Sequence, residues 1–598
     1  MRISLPLAVI LGLAAAISCI PSAAALEKAK IQDRAPAAQP VEFDLYLPLQ
    51  HESELDQLLN DLHDPDSSLF QQWLTPQQFA ARFAPSTRLM NAISQELRGE
   101  GFKVIGVHTH SMHVAGTVGD VERVFSTRVA HASLANGKTV LAATQPLRLS
   151  PLLTSAGAIV MDFSDTIHMH SHAQFASAAP EDRYSSAGPY WFDDLKQAYE
   201  FPSYQVYTGK GARIGILMTG AYNPADMDLY FGHEKLSTPR IFEVEIRGGA
   251  PFDAIASLET HLDIQQAGGM APGAEIVLYN LPDLSDASIF AGLTTIVESN
   301  AVDIVNMSFG SAELGYTAEY NSGVDQLGLL NVWDSLFKQG NAQGITFVAS
   351  SGDLGAKSIP PPACFDVAAT SSCGSFRVSV EVPAASPHVT GVGGTNLITT
   401  YSALHPNLDS AYIKEAAWGD PLQMDIFYRT PATGGYWSSG GGTSIFFRRP
   451  QFQITSHTGS RMRAVPDLAL HMGGCPFGAE WPCHPDRSSV VTVSGGTLYQ
   501  VIGTSAASPA FAGLTALKIE RSGHRQGNEN YAIYALAAAQ EKSPTLRVFH
   551  TNISGFNGKY YTGPRYNMVL GNGTLYGKDF ILAPNVPSAG VPQTPSNP

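Results

Sequence analysis

The sequence predicts an α/β chain: a large domain built on a mostly parallel sheet flanked by helices, preceded by a smaller α+β module. Three observations carry this. Four runs, at 213–218, 275–279, 304–308 and 345–350, are nearly continuous apolar stretches, as expected of strands buried on both faces with helices between them. The chain has 598 residues, too many for one ordinary core. Before residue 166 the texture changes to β-like runs such as 41–47, alternating with helical patterns, which reads as a compact α+β unit.

The elements follow in order. Met1-Arg2 leads into an apolar stretch from Leu5 to Ile20 and then Ser22-Ala23-Ala24-Ala25, the layout of a secretory signal peptide cut near Ala25. A lipoprotein cut before Cys19 is the competing reading. Residues 1–25 are therefore expected to leave on export, giving a secreted, extracellular protein. No later run reaches the ~18–20 apolar residues of a membrane span. Residues 39–165 form the α+β module, with one helix starting after Thr75 with Pro76 at its first position and another through 90–97. From 166 to 188 no hydrophobic period is visible, and His168, His170 and His172 alternate. Alternate histidines on an extended chain share a face and could hold a metal. The other reading is a solvated linker, where a processing cut would fall. The large domain spans 189–583, and the Pro-rich 584–598 tail is expected to be disordered.

Cys364, Cys373, Cys475 and Cys483 remain once Cys19 leaves, as two close pairs. In an exported chain they suggest two short-loop disulfides; a four-Cys zinc site is the alternative, although both spacings are wide for one. A net charge of -15 with no Lys/Arg run argues against a nucleic-acid partner.

The sharpest chemical signal is Gly503-Thr504-Ser505-Ala506-Ala507-Ser508-Pro509, ahead of an apolar helix through Phe511, Leu514 and Leu517. A Ser after a Gly turn at a helix start is presented beside backbone N–H groups that can stabilise an oxyanion. A helix-capping Ser is the bland alternative. Upstream, Glu259 and Asp263 stand at i and i+4, at the edge of an apolar stripe made by Ile255, Leu258 and Leu262. Such a pair can share one proton, leaving a usable base in acid; a solvated surface pair is the other reading. His261 points away from both, as a surface or packing residue. Ser351-Gly352-Asp353 follows the 345–350 run, at a strand end where open α/β sheets bind ligands.

Taken in order, Glu-x-x-x-Asp, Ser-Gly-Asp and Gly-Thr-Ser resemble the sedolisins, the kumamolisin-like serine-carboxyl peptidases. The stretches 383–395, 439–444 with Phe447, Pro450 and Gln451, and 465–468 resemble that family too. Asp64-Pro65-Asp66-Ser67 and Trp73-Leu74-Thr75-Pro76-Gln77-Gln78-Phe79 resemble its activation domain. The resemblance implies a subtilisin-like catalytic domain behind a ferredoxin-like activation prodomain. It implies Ser505 as nucleophile, Glu259 as its base, Asp263 tuning Glu259, and Asp353 as a protonated oxyanion-hole acid. Ser308-Phe309-Gly310 matches the substrate-lining edge. Polypeptides are the implied substrates and the prodomain an intramolecular inhibitor removed at low pH, with a monomer expected.

One departure concerns calcium, the family's usual ion. The matching stretches read Phe549-His550-Thr551-Asn552 and Gly563-Pro564-Arg565-Tyr566-Asn567, so Thr551 and Asn567 replace carboxylates and Arg565 adds positive charge. Calcium affinity falls with ligand charge, and no metal or other cofactor is expected. Two rival readings are an inactive secreted binding protein on the same fold and a subtilisin-like enzyme using an unrecognised His.

Overall fold

The computed structural model describes residues 30–133, 139–161, 169–177, 182–321, 323, 325–362, 376–404, 409–421, 436–474, 488–543 and 545–586. The expected signal peptide, His168, Cys364, Cys373, Cys475, Cys483 and most of the tail lie outside the described residues.

The four apolar runs become the centre of an eight-stranded sheet. Its order is Ile241–Glu245, Glu275–Leu281, Arg213–Thr219, Ile304–Met307, Thr346–Ser350, Thr390–Thr399, Tyr412–Ala417, with Leu468–His471 also paired to Thr390–Thr399. Every pair is parallel except Thr390–Thr399 with Tyr412–Ala417. Two helix pairs pack with it: Leu258–Met270 with Thr504–Ser522, and Asp286–Ser299 with Leu329–Ala342. Among the described residues no helix is long and apolar enough to cross a membrane.

Helix Leu258–Met270 departs from its sequence reading. It begins after Ser257, so Ile255 lies in the preceding turn rather than on a stripe, and every residue from 258 to 270 is buried. The helix is enclosed by Thr504–Ser522, by the Val490–Ser494 strand and by the sheet, and a helix covered all round needs no amphipathic stripe. Glu259 and Asp263 are therefore not a solvated pair.

The amino-terminal module has a four-stranded antiparallel sheet in the order Lys103–Val107, Ser111–Thr117, Pro40–Tyr46, Ile159–Met161. A second sheet joins Lys30–Arg34, Val129–Ser133 and Thr139–Ala143. Its helices open as the sequence suggests: Thr75 caps Pro76–Phe83, accepting from the Gln78 N–H at 3.2 Å while the Gln78 side chain accepts from the Thr75 N–H at 2.8 Å, a reciprocal capping box. Phe43, Phe102 and Phe125 anchor its own core.

The module docks on the large domain through a second, smaller core of Leu55, Leu59, Phe79 and Phe83 against Ala342. Around it, the Leu74 N–H donates to the Ala342 carbonyl at 2.9 Å and Tyr531 donates to Asn60 at 2.7 Å. His63 accepts from the Asn528 N–H at 2.8 Å and stacks on Tyr531.

The linker is not solvated over 169–175, although Asp182 and Tyr184 further on are exposed. His170–Ser171 pairs antiparallel with Phe309–Ala312, and Gln174–Ser177 pairs antiparallel with Thr497–Ile502. His172 and Ala173, between the two, are 1% and 2% exposed. Unpaired strand edges on either side of a cleft supply the backbone partners that an aperiodic, extended segment needs in order to be buried.

Candidate active site

Three chain segments deliver the reacting groups to one place. The Thr346–Ser350 strand ends at Ser351-Gly352-Asp353, and Gly503 turns the chain from the Thr497–Ile502 strand into helix Thr504–Ser522. The Leu258–Met270 helix lies against that second helix and presents Glu259 and Asp263. Gly503 has φ 140°, and a Cβ there would lie 2.3 Å from the His172 carbonyl oxygen and 2.8 Å from Asp353 Oδ2. Only glycine fits both the backbone angle and that close approach. The Gly-rich 439–444 stretch has a similar reason: Gly440 lies so close to Ser351 that a Cβ would meet its carbonyl oxygen at 2.0 Å.

Asp353 is buried. Its Oδ1 accepts from the Thr504 N–H and hydroxyl, both at 2.8 Å, while Oδ2 has no hydrogen-bond partner. Burial pushes its carboxyl up to about 7, against the pull of His172 and the Thr504 donors. It caps no helix of its own and instead faces the start of the serine's helix.

Ser505 is the second residue of its helix, fully buried, and donates a long 3.4 Å bond to the Ser308 carbonyl. Glu259 Oε2 accepts from the Ser171 hydroxyl and from the Ala173 N–H at 3.2 Å, while Oε1 has no partner. Burial raises the Glu259 pKa, and Ser171, Ser505, His172 and the Ala173 N–H hold it down. Asp263 accepts from the Ser308 hydroxyl at 2.6 Å and has one unpartnered oxygen. Burial and the neighbouring Glu259 charge push it well above the usual carboxylate range. Both carboxyls are pushed up, so the two share their protons as a pair.

Asn306 ties these parts together, donating to the Ser308 hydroxyl at 3.0 Å and accepting from Ser508 at 2.6 Å. His261 has both ring nitrogens engaged away from the site, with the Val493 carbonyl at 2.9 Å and the Asn223 N–H at 3.0 Å, so it is a packing residue. Ser308, Phe309 and Gly310 form the edge against which the linker lies: the His172 N–H donates to the Ser308 carbonyl at 3.4 Å, and Phe309 and Gly310 pair with Ser171 and His170.

The site contains Glu381, which sequence reasoning did not single out, and it gives His172, read there as part of a metal-binding tract or a linker, a different place. His172 places one ring nitrogen 2.7 Å from Glu381 Oε2 and the other 2.6 Å from the Ser350 hydroxyl, all three buried. Glu381 lies two residues before the Pro383–Thr395 stretch that carries part of the family resemblance, and an acid among apolar neighbours was the available signal. His170, His172 and Glu381 could also group around a cation, but both His172 nitrogens are already occupied.

The chain is similar to known proteins. Residues 27–155 match the family model for the pro-kumamolisin activation domain, and residues 249–549, half of the chain, match the subtilase family. Sedolisin of Pseudomonas sp. (strain 101) is 28% identical over 543 residues, covering 88% of this chain and 83% of that protein. Kumamolisin of Bacillus sp. (strain MN-32) is 28% identical over 437 residues, 69% of this chain and 67% of that one. The solved structure of Pseudomonas sedolisin, a serine-carboxyl proteinase complexed with two molecules of pseudo-iodotyrostatin, matches with a TM-score of 0.53 at 25% identity, over 66% of this chain and 97% of that one. With its parallel sheet, its Ser505 helix and its activation module, the chain belongs to the subtilase family, and within it to the sedolisins, serine-type peptidases made with a pro-kumamolisin activation domain.

Proposed function

We propose that this protein is a secreted, acid-active serine-carboxyl endopeptidase that works through an acyl-enzyme and is made as a self-inhibited proenzyme. Ser505 attacks the scissile carbonyl and Glu259 takes its proton. Asp263, keeping the shared proton, sets the Glu259 pKa. Asp353, protonated below about pH 7, donates to the developing oxyanion beside the Ser505 N–H. The observation that carries this reading is convergence: Ser505, Glu259 and the unpartnered Asp353 oxygen all face one buried peptide segment lying across the cleft. An inactive binding protein on the same fold would not need to keep four reacting side chains in one place. The buried linker and the docked module support the prodomain as intramolecular inhibitor, and the apolar amino terminus supports export.

The chain's own residues do not fit a calcium ion in the carboxyl-terminal loop. Asn567 donates to the carbonyls of Gly563 and Arg565 at 3.4 and 3.2 Å and accepts from the N–H groups of Val569 and Leu570. Arg565 approaches Glu541 at 3.7 Å. The loop thus satisfies its carbonyls with its own amide and places a guanidinium where carboxylates would be needed.

The test is proteolysis of a denatured protein from pH 3 to 8 by wild type, Ser505→Ala and Asp353→Ala. Each variant should lose at least ~100-fold in kcat, as for loss of an oxyanion donor. Near-full activity in either would overturn the assignment.

A further inference from the structure

We propose that the peptide bond His172–Ala173 is the bond this enzyme cuts in itself, and that Glu381 and Ser350 form a pocket selecting an imidazole or cationic side chain on the acyl side of the cut. The proposal rests on the peptidase reading above and adds which bond and which side chain.

Four contacts fix the bond. The His172 N–H is held by the Ser308 carbonyl, the same oxygen that receives the Ser505 hydroxyl. The His172 carbonyl oxygen and Asp353 Oδ2 crowd the same point above Gly503. The Ala173 nitrogen is 3.2 Å from Glu259 Oε2. On either side, 170–171 and 174–177 are strands paired to opposite walls of the cleft. A shift of one residue would turn every side chain to the other face and move the leaving nitrogen away from Glu259.

The step then balances. The Ser505 oxygen bonds to the His172 carbonyl carbon as its proton passes to Glu259, and the oxyanion takes a hydrogen bond from the Asp353 carboxylic acid. The bond from that carbon to the Ala173 nitrogen breaks as Glu259 delivers the proton to that nitrogen. Water, deprotonated by Glu259, next attacks the ester carbon and releases the His172 carboxyl group, and the Ser505 oxygen regains its proton. The mature chain begins at Ala173.

The His172 ring shows what the pocket reads. It lies between the Glu381 carboxylate and the Ser350 hydroxyl. Gly310 and Gly352 form the walls: a Cβ at Gly310 would lie 2.7 Å from His172 Cε1, and one at Gly352 would lie 2.8 Å from the Glu381 carboxyl carbon. A buried acid left without a donor is costly, so an apolar side chain should be disfavoured there.

The test uses the full chain. Wild type is brought to pH 4 and the earliest new amino terminus is sequenced, beside Ser505→Ala. Two quenched peptides, Met-His-Ser-His-Ala-Gln-Phe and the same with Leu in place of the second His, are then compared on mature wild type and Glu381→Gln. The expected terminus is Ala-Gln-Phe, absent in Ser505→Ala, and the His peptide should be cut at least ~10-fold faster in kcat/KM than the Leu peptide, with the preference lost in Glu381→Gln. If Glu381→Gln does not fold, His172→Leu in the linker serves instead, and self-processing should slow by a similar factor. An earliest terminus elsewhere, with peptides still cut, overturns the bond assignment and leaves the peptidase reading standing. Equal rates for the two peptides on wild type, or self-processing undiminished in His172→Leu, overturn the pocket. Failure to cut itself or either peptide, or any other protein substrate, removes both readings.

Discussion

In the proposed mechanism Asp353 and Asp263 do different work with the same functional group, because their surroundings offer different donors. On that mechanism Asp353 must hold a proton to donate to an oxyanion, and burial pushes its carboxyl up to about 7. Activity should therefore fall as pH rises through that value. Asp353→Asn keeps an N–H donor that does not titrate, so we expect it to retain more activity than Asp353→Ala and to lose the alkaline limb in a kcat–pH profile. Burial and the Glu259 charge push Asp263 well above the usual carboxylate range, so on the proposed mechanism Asp263→Asn should cost far less than Glu259→Gln, which would remove the base. Comparable losses from the two substitutions would contradict this division of roles.

At the scale of elements, the activation module is held to the large domain by packing, by hydrogen bonds and by the Asp44–Arg247 and Asp56–Lys338 ion pairs, and one of the hydrogen bonds depends on pH through a histidine. His63 accepts from the Asn528 N–H and places its other nitrogen 2.6 Å from the Leu59 carbonyl, an arrangement that requires the neutral ring. Burial lowers its pKa to about 4 from 6.5. A depressed histidine contributes binding that is complete above about pH 6.5 and is lost as pH falls toward 4. The displacement corresponds to about 3 kcal/mol. The cleaved module, added back to mature enzyme, should therefore inhibit ~100-fold more weakly at pH 4 than at pH 7, and His63→Phe should flatten that dependence. The inhibition constant measured across pH decides it.

Across the whole molecule, two sets of buried groups oppose each other. Burial pushes Asp286, Glu313 and Asp353 up to about 7 and Asp194 to about 6. Their contribution to stability is present below about pH 4 and lost as pH rises through those values. His110, His388 and His550 are lowered to about 4 and His471 to about 3 by burial; theirs is present above about pH 6.5 and lost in acid. Between pH 4 and 6.5 these two sets offset each other; above 6.5 the carboxyls lose what remains of their contribution, while Lys196, lowered to about 7 by burial, begins to add stability. The melting temperature of Ser505→Ala, which cannot digest itself, should drop more between pH 5 and 7.5 than that of the same protein carrying Asp286→Asn, which removes one of these raised carboxyls. The same measurement with EDTA should show no shift, since the Asn567 loop is held by its own amide; a drop reversed by Ca²⁺ would contradict it.

By itself the sequence determined the strands of the parallel sheet and the Thr75 cap, and it marked Glu259, Asp263, Asp353 and Ser505 as the candidate site residues. Each of these shows locally, as an apolar run, a capping box or a motif of a few neighbouring residues. What only the tertiary structure decided depends on contacts between distant segments. Ile255 dropped off the helix, and Glu259 and Asp263 became buried, because helix 258–270 is covered by segments more than 200 residues away in the chain. The 166–188 stretch has no period of its own, and the burial of 169–175 within it comes from strand edges near residues 310 and 500. His172 met Glu381 and Ser350 for the same reason: no local pattern records which distant edge an aperiodic strand will pair with, or which side chains that register will bring together.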